Sequence, residues 1–407
     1  MSQDFASAAS FAGQTDALRP RIERCRRVAL AVAVAGLALA AFGYAMAPQQ
    51  FYRSYLLAFV YWVGLSLGCL AVLMVHHLVG GRWGFAIRRL LEAGSRTLPL
   101  MFVLGLPVVL GIHELYEWSH PEAVAVDEVL RHKQGYLNPT AFVARSVLYF
   151  LVWGALAFYL NRWSAAQDGT SQTWPTRRLQ VLSGPGMVLF ALTGTFAAVD
   201  WIMSLEPHWF STIYSAIYII GQLLLTWAFV IVVAVPLSRH LPLSLLLTNE
   251  RLRDLGTLTL GFVMLWAYVS FSQLLIIWSG NLPEEITWYY ARLRGGWQYV
   301  GYLLIAFHFA VPLLLLVSSR LKARSALLVA VAGGLLVMRL VDLFWITAPA
   351  FSSVELSFHW LDAVLPAGLG ALWVYAFLGQ LAARSLVPLN DPRFPLEDLI
   401  AGEPHHG

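Results

Sequence analysis

Charge is scarce in this sequence: 12% of its 407 residues are Asp, Glu, Lys or Arg, where a soluble domain carries about a quarter. Cysteine is scarcer still. Cys25 and Cys69 are the two, one in an Arg-rich stretch and one in an apolar run, so structural disulfides are not expected. No CxxCH haem-attachment motif and no iron–sulfur cysteine cluster is present. There is no HExxH and no dense His/carboxylate grouping, so no metal site is expected. The histidines fall at different depths, with no matched pair on facing helices, which argues against a bis-histidine haem. The formal charge of +4 is too small to point to nucleic acid. Long hydrophilic domains, low-complexity tracts and obvious repeats are also missing.

What the chain has in abundance is apolar sequence, 58% of its residues. A hydrocarbon core about 30 Å thick takes roughly 20 apolar residues per helix. Apolar windows predict an all-α polytopic membrane protein with ten spans: Val28–Ala47, Tyr55–Val79, Thr97–Leu115, Thr140–Leu160, Ser183–Leu205, Trp209–Leu237, Thr257–Trp278, Trp297–Ser318, Ala326–Thr347 and Trp360–Ala382. Residues 1–27 form a polar segment without a compact apolar core and cleavage site, so the first span reads as a retained anchor. Residues 383–407, with NDPRFPLEDLIAGEPHHG, read as an extended tail that docks against a partner.

Basic residues orient the spans. One set of ends carries 20 of the 27 Lys and Arg residues: Arg19, Arg21, Arg24, Arg26, Arg27, Arg82, Arg88, Arg89, Arg96, Arg162, Arg177, Arg178, Arg239, Arg251, Arg253, Arg320, Lys322, Arg324, Arg384 and Arg393. The other carries Arg53, Arg131, Lys133, Arg145, Arg292 and Arg294, and Arg339 lies within a span. Lys/Arg excess marks the cytoplasm. Both termini are therefore expected in the cytoplasm of a bacterial cell, with the chain in its inner membrane. Interfacial tryptophans such as Trp118, Trp209, Trp278 and Trp297 agree.

Ionisable groups at membrane depth are costly and are functional candidates by default. Here they are His76, His77, His113, Glu114, Asp200, His308, Arg339, Asp342 and Asp362. On the assigned orientation, Glu114, Asp200, Arg339, Asp342 and Asp362 fall in the outer half of the membrane, with Gln273. Quinol oxidation or an outer proton path would need such groups. Each also has a plainer reading. Arg339 and Asp342 are three apart and neutralise each other. Asp200 caps or is solvated near a span end and shares a face with Ser204. His308 packs as a neutral histidine, and His76 and His77 end a helix. His113 and Glu117, four apart with Glu114 beside them, form an outer vestibule or an interfacial patch. Pro366, four residues after Asp362, kinks its helix.

Spans five and six carry ALTGTFAAVDWIMSLEPHWFSTIYSAIYIIGQ, Ala191 to Gln222, with Pro207 breaking the helix at a tight outer turn. The part from Asp200 to Tyr214, including Trp201, Ser204, Glu206, Pro207, His208 and Trp209, resembles the second NrfD-like (polysulfide-reductase-type) membrane subunit of alternative complex III, a quinol:cytochrome c oxidoreductase. That resemblance implies two four-helix bundles plus flanking helices. It implies a quinone ligand, menaquinone or ubiquinone, and no covalent cofactor in this chain. The implied partners are a second NrfD-like subunit, a periplasmic iron–sulfur subunit, haem c subunits and a terminal oxidase. Of site residues it carries over only those around Asp200. Two other readings stand beside it: a proton- or ion-coupled transporter, disfavoured because no matched pair of broken spans is evident, and a scaffold with no ligand of its own.

Overall fold

The computed structural model describes residues 8–393 except residues 171, 241–242, 353 and 389, with side chains from Leu18 onward apart from that of residue 245. The described residues are helices and turns with no strand. Ten helices are long and apolar enough to cross a membrane. They are α1 Ala8–Met46, α2 Pro48–Val79, α3 from Arg82–Ser95 on through shorter turns to Leu110, α4 Pro139–Asp168, α5 Trp174–Trp201, α6 Tyr214–Leu237, α7 Asn249–Gly280, α8 from Trp297 to Val317, α9 Ser325–Thr347 and α10 Leu361–Ala382.

Two four-helix bundles share the chain. Helices α2 to α5 form the first and α6 to α9 the second, with α1 and α10 flanking α2. Helix α2 is buried almost throughout and touches both bundles. Small residues allow this: a Cβ added at Gly64 would strike Gln222, and one at Gly68 would strike Thr226, both on α6. The α1–α10 pair crosses just as closely, since a Cβ on Gly36 would stand 2.6 Å from the Gly368 Cα. Between α2 and α3, Gly80 and Gly81 take φ of 75° and 100°, a conformation that favours glycine. The chain doubles back there, so the two helices run antiparallel, tied by Ser66 Oγ to Thr97 Oγ1 at 2.7 Å and by Tyr55 OH donating to the Leu104 carbonyl at 2.9 Å.

The sequence-based boundaries hold within a few residues for some spans, but several shift notably. Span three begins at Arg82, not Thr97. Arg88 and Arg89 are therefore helical and buried, and Arg96 is the half-buried residue that caps this stretch, where hydropathy placed all three in a loop. The helix tolerates them because Arg88 Nε meets Glu92 Oε1 at 2.9 Å one turn on, and Arg89 meets Glu92 Oε2 at 2.6 Å. Hydropathy counts charges singly and cannot register such pairing. Span five begins at Trp174, ahead of Ser183, and span seven at Asn249, ahead of Thr257, with Thr248 capping its first turn. Helix α1 is continuous from Ala8 with the apolar run after Val28.

The helix ends define two faces. One bears the longer connections, residues 111–138, 202–213, 281–296 and 348–360, and is called here the loop end. At the opposite, arginine end, the first residues of the tail turn back onto the bundle. Asp391 Oδ2 accepts from Arg88 at 2.9 Å, Arg393 donates to the His77 carbonyl at 3.2 Å, and Asn390 donates to the Asp168 carbonyl at 2.8 Å. The expected extended tail is thus docked on its own chain as far as Arg393; residues 394–407 lie outside the described ones.

Burial alone would raise the Asp391 carboxyl, but its hydrogen bond to Arg393 and the Arg393 and Arg88 charges hold it below the usual carboxylate range. A depressed carboxylate stabilises the fold above its unfolded value, and that stability is lost only as pH falls through the folded value. Asp391→Asn is expected to cost on the order of 2 kcal/mol at neutral pH. Thermal unfolding across pH should show the gap to wild type flat from pH about 7 to 5 and closing only at more acid pH; a gap already closed at pH about 6 would contradict the arrangement.

Candidate functional site

Most of the ionisable residues singled out by the sequence gather towards the loop end, while His76 and His77 lie at the arginine end, and they do not form one site. They fall into separate pairs. In the first bundle, Asp200 at the end of α5 is fully buried and held by Arg145 of α4, with Nε to Oδ2 and Nη2 to Oδ1 both at 2.9 Å. Tyr149 adds a third hydrogen bond at 2.7 Å. The Arg145 guanidinium lies 3.8 Å over the Tyr136 ring. Burial and then the Asp200 charge push the Tyr136 phenol up to about 12, so it is neutral at ordinary pH. Every oxygen of Asp200 is therefore engaged, and the pair is closed.

Glu206 pairs with Arg292 at 2.7 Å, and Arg292 also donates to the Ile346 and Trp345 carbonyls at 2.6 and 3.2 Å. Its guanidinium lies 3.6 Å over Trp288. Neither arginine carried any signal in the sequence, since both count there as residues of outer loops or span ends. His208 meets Asp127 at 2.6 Å on the exposed loop surface. Asp127 is lowered by its backbone hydrogen bond from Leu130 and by His208. Trp209 stacks on Trp288 at 5.0 Å, Trp201 donates to Ser146, and Ser204 donates to the Asp200 carbonyl. Helix α5 ends at Trp201, so Pro207 lies in the turn beyond and is not the residue that stops it.

His113 and Glu117 are not one-turn partners on a helix. The helix ends at Leu115 and Tyr116 is extended. His113 Nδ1 instead meets Ser119 Oγ at 3.1 Å, while Glu114 is exposed. Asp362, in the first turn of α10, accepts from Ser54 and Gln50 of α2 and from the His359 amide ahead of the helix at 2.9 Å. It borders a cavity of about 40 Å³, room for a water or two. His76 and His77 close the last turn of α2, as expected, but both are fully buried and none of their four ring nitrogens has a hydrogen-bond partner among the described residues.

The second bundle differs. Between α6, α7, α8 and α9 lies a cavity of about 550 Å³, within the size range of small-molecule sites. Its walls are mostly aromatic and aliphatic, among them Tyr214, Trp266, Phe271, Trp288, Tyr289 and Trp345. Asp342 of α9 lines it, tethered on one side only. Arg339 Nη1 and Trp266 Nε1 both bind Oδ2, the latter at 3.2 Å, and Oδ1 takes neither bond. Arg339 continues to the Tyr218 carbonyl at 3.2 Å and packs where a Cβ on Gly221 would sit. Other buried polar atoms in the wall lack partners: both amide atoms of Gln273, Ser270 Oγ and Trp345 Nε1. A buried polar group without a partner costs about 1–3 kcal/mol, so this wall is poised for a hydrogen-bonding occupant.

His308 lies beside the cavity with its ring 4.2 Å from that of Trp266. It makes at most a loose contact with the Met338 backbone and no hydrogen bond of ordinary geometry. It sits in a π-helical segment, Ile305–Ala310, within α8. Pro312 accounts for the irregularity, because it has no N–H for the His308 carbonyl and its ring crowds that oxygen. Tyr214 lies between the two ends of this system, within electrostatic reach of both Arg292–Glu206 and Arg339–Asp342. The arrangement can receive a largely apolar molecule with a polar head and present it to a carboxylate oxygen that is not already bonded.

No family model matches the chain, and no curated protein matches it either. Among the described residues no three His, Cys, Asp or Glu side chains stand close enough to hold a metal ion.

If Asp342 neutralises Arg339, removing it leaves an uncompensated buried cation. Asp342→Asn is expected to cost about 3–5 kcal/mol. The double variant Asp342→Asn/Arg339→Met should recover much of that loss, read as the melting temperature of the purified protein in detergent. A double variant no more stable than the single one would contradict the pairing.

Proposed function

We propose that the chain is an integral membrane subunit of a respiratory quinol:cytochrome c oxidoreductase, of the NrfD-like kind found in alternative complex III, and that the second-bundle cavity takes the head of a quinone. The observation that carries this reading is the one-sided tether of Asp342 in an apolar cavity of about 550 Å³. The resemblance of the Asp200–Tyr214 segment and the ten apolar helices in two bundles support it. The partners that go with it are a second NrfD-like subunit, periplasmic iron–sulfur and haem c subunits that accept the electrons, and a terminal oxidase. The Lys/Arg bias then puts the arginine end in the bacterial cytoplasm and the cavity in the outer half of the inner membrane.

A quinol supplies two electrons and two protons on oxidation. The residues of this chain have the proton part. Gln273, Ser270 and Trp345 Nε1 orient the head through their free hydrogen-bonding atoms. Asp342 Oδ1 accepts the two protons in turn, releasing the first towards the outer surface before it takes the second, while Arg339 and Trp266 hold Oδ2 and fix the carboxylate in place. Tyr214 and then Glu206, partly exposed beside Arg292, lie on the way to the outer surface. Asp200 is the less favourable proton carrier, because Arg145 and Tyr149 occupy both its oxygens. Either quinone class satisfies this chemistry.

One set of observations favours a second reading. Asp200, Asp342 and Asp362 all have partners, as a scaffold without a ligand would require. The assembled complex separates the two. Gly301 lines the cavity, and a Cβ there would stand 3.7 Å from Trp345 Nε1. Gly301→Leu fills space without touching Asp342 and is expected to raise KM for quinol about tenfold or more with kcat little changed. Asp342→Asn, measured per assembled complex, is expected to lower kcat instead. Wild-type turnover and KM in both variants would leave the scaffold reading.

A further inference from the structure

Among the described residues, the arginine end holds more positive charge than its carboxylates match. Arg88, Arg89, Arg96, Arg384 and Arg393 crowd around Glu92, Asp168 and Asp391. The pairing is uneven. Arg88 is fully engaged by Glu92, Asp391 and Ser164. Arg384 reaches its carboxylate, Glu92, only at 3.7 Å, and Glu92 is already shared by Arg88 and Arg89. Arg96 donates to the Gln380 carbonyl and has no ion pair among the described residues. Among the described residues, three buried N–H groups make no hydrogen bond: Arg89 Nε, Arg96 Nε and Arg384 Nη1, the last with only its long ion pair to Glu92. Arg89 itself is 3% exposed, and both it and Arg384 act on the Arg96 charge, so the three share one space. Arg26 of α1 joins the same level, 4.6 Å over the Tyr375 ring of α10 and with its Nε also unpartnered.

Unpartnered guanidinium groups in surplus call for an anion with several oxygens, and phosphate suits their planar fork. The surroundings favour a lipid as its source. Arg384, just past the end of α10, and Arg96, at the turn that closes the first helical stretch of α3 and bonded to the Gln380 carbonyl near that same end of α10, are both partly exposed. Helix α1, whose Arg26 lies against Tyr375 and Gly379 of α10, turns Val28 and Val32 outward, 60% and 47% exposed, a surface for acyl chains. Basic pockets between spanning helices bind anionic headgroups in this way. We propose that Arg96 and Arg384, backed by Arg89, bind the phosphate of an anionic phospholipid at the arginine end, whatever the chain does at its loop end.

The test uses the full chain, purified in detergent and stripped of lipid. Phosphatidylglycerol, phosphatidylcholine and inorganic phosphate are titrated separately. Bound lipid is read by native mass spectrometry and stability by thermal unfolding. Phosphatidylglycerol is expected to bind at least about tenfold more tightly than phosphatidylcholine and to raise the melting temperature. The variant Arg96→Gln/Arg384→Gln is expected to lose that preference. Arg162→Gln/Arg177→Gln, which removes the same charge from exposed positions, is expected to keep it. Three results would overturn the proposal: no preference in wild type, an equal loss in the control variant, or stabilisation by inorganic phosphate alone that equals that by the lipid. A melting transition in each lipid-free variant establishes that it is folded before binding is compared.

Discussion

A charge carried into hydrocarbon has to be neutralised where it sits, and the buried arginine–carboxylate pairs of this chain meet that demand at each level of the structure. The cost of an isolated buried ion is several kcal/mol, and removing one partner of a pair exposes it. Each pair at the loop end therefore behaves as a fixed joint. Arg145 and Asp200 lock α4 to α5; Arg292 reaches from the 281–296 connection to Glu206 and to the end of α9; Arg339 ties α9 to the Tyr218 carbonyl of α6. Each of these arginines also lies over an aromatic ring, Tyr136, Trp288 or Tyr218, which screens the remaining charge. Glu92 plays the same part at the other end, between Arg88 and Arg89.

One pair departs from this closure, and the functional reading follows from the departure. Asp200 has both oxygens bonded, whereas Asp342 keeps Oδ1 clear of its tethers and borders the one large cavity described. The neighbouring wall is irregular as well. The π-helical turn at His308 and the unpartnered atoms of Gln273, Ser270 and Trp345 are departures from good packing that a structural bundle has no reason to keep. The glycine-lined contact of α2 with α6 joins the first bundle closely to the one that carries this wall.

Much of the fold was legible in the sequence because a hydrocarbon slab enforces it. Ten apolar runs became ten helices, and their grouping into two bundles with α1 and α10 outside them agrees with the expected architecture. The depth of Asp200, Asp342 and Asp362 could also be read, since all three gather near the loop end. What could not be read was which partner each had. Arg145 and Arg292 looked like ordinary outer residues, because pairing across helices leaves no local pattern, and Arg88 and Arg89 counted as loop residues, because hydropathy does not register their one-turn spacing to Glu92. The His113–Glu117 spacing suggested a shared helix face that the turn at Tyr116 removes. The cavity is a property of four helices together and of the Pro312 irregularity, so its lining had no signature beyond Asp342 and the isolated His308 and Gln273.

The central claim is that Asp342 takes up a proton from an occupant of the second-bundle cavity. The most direct measurement is the redox-induced infrared difference spectrum of the complex purified with its native quinone, compared between wild type and Asp342→Asn. The account predicts a protonated-carboxyl band that appears on quinol oxidation in wild type and is missing from the variant, with the Asp200→Asn spectrum unchanged in that region. Identical carboxyl bands in wild type and Asp342→Asn, from complexes that both turn over, would contradict it.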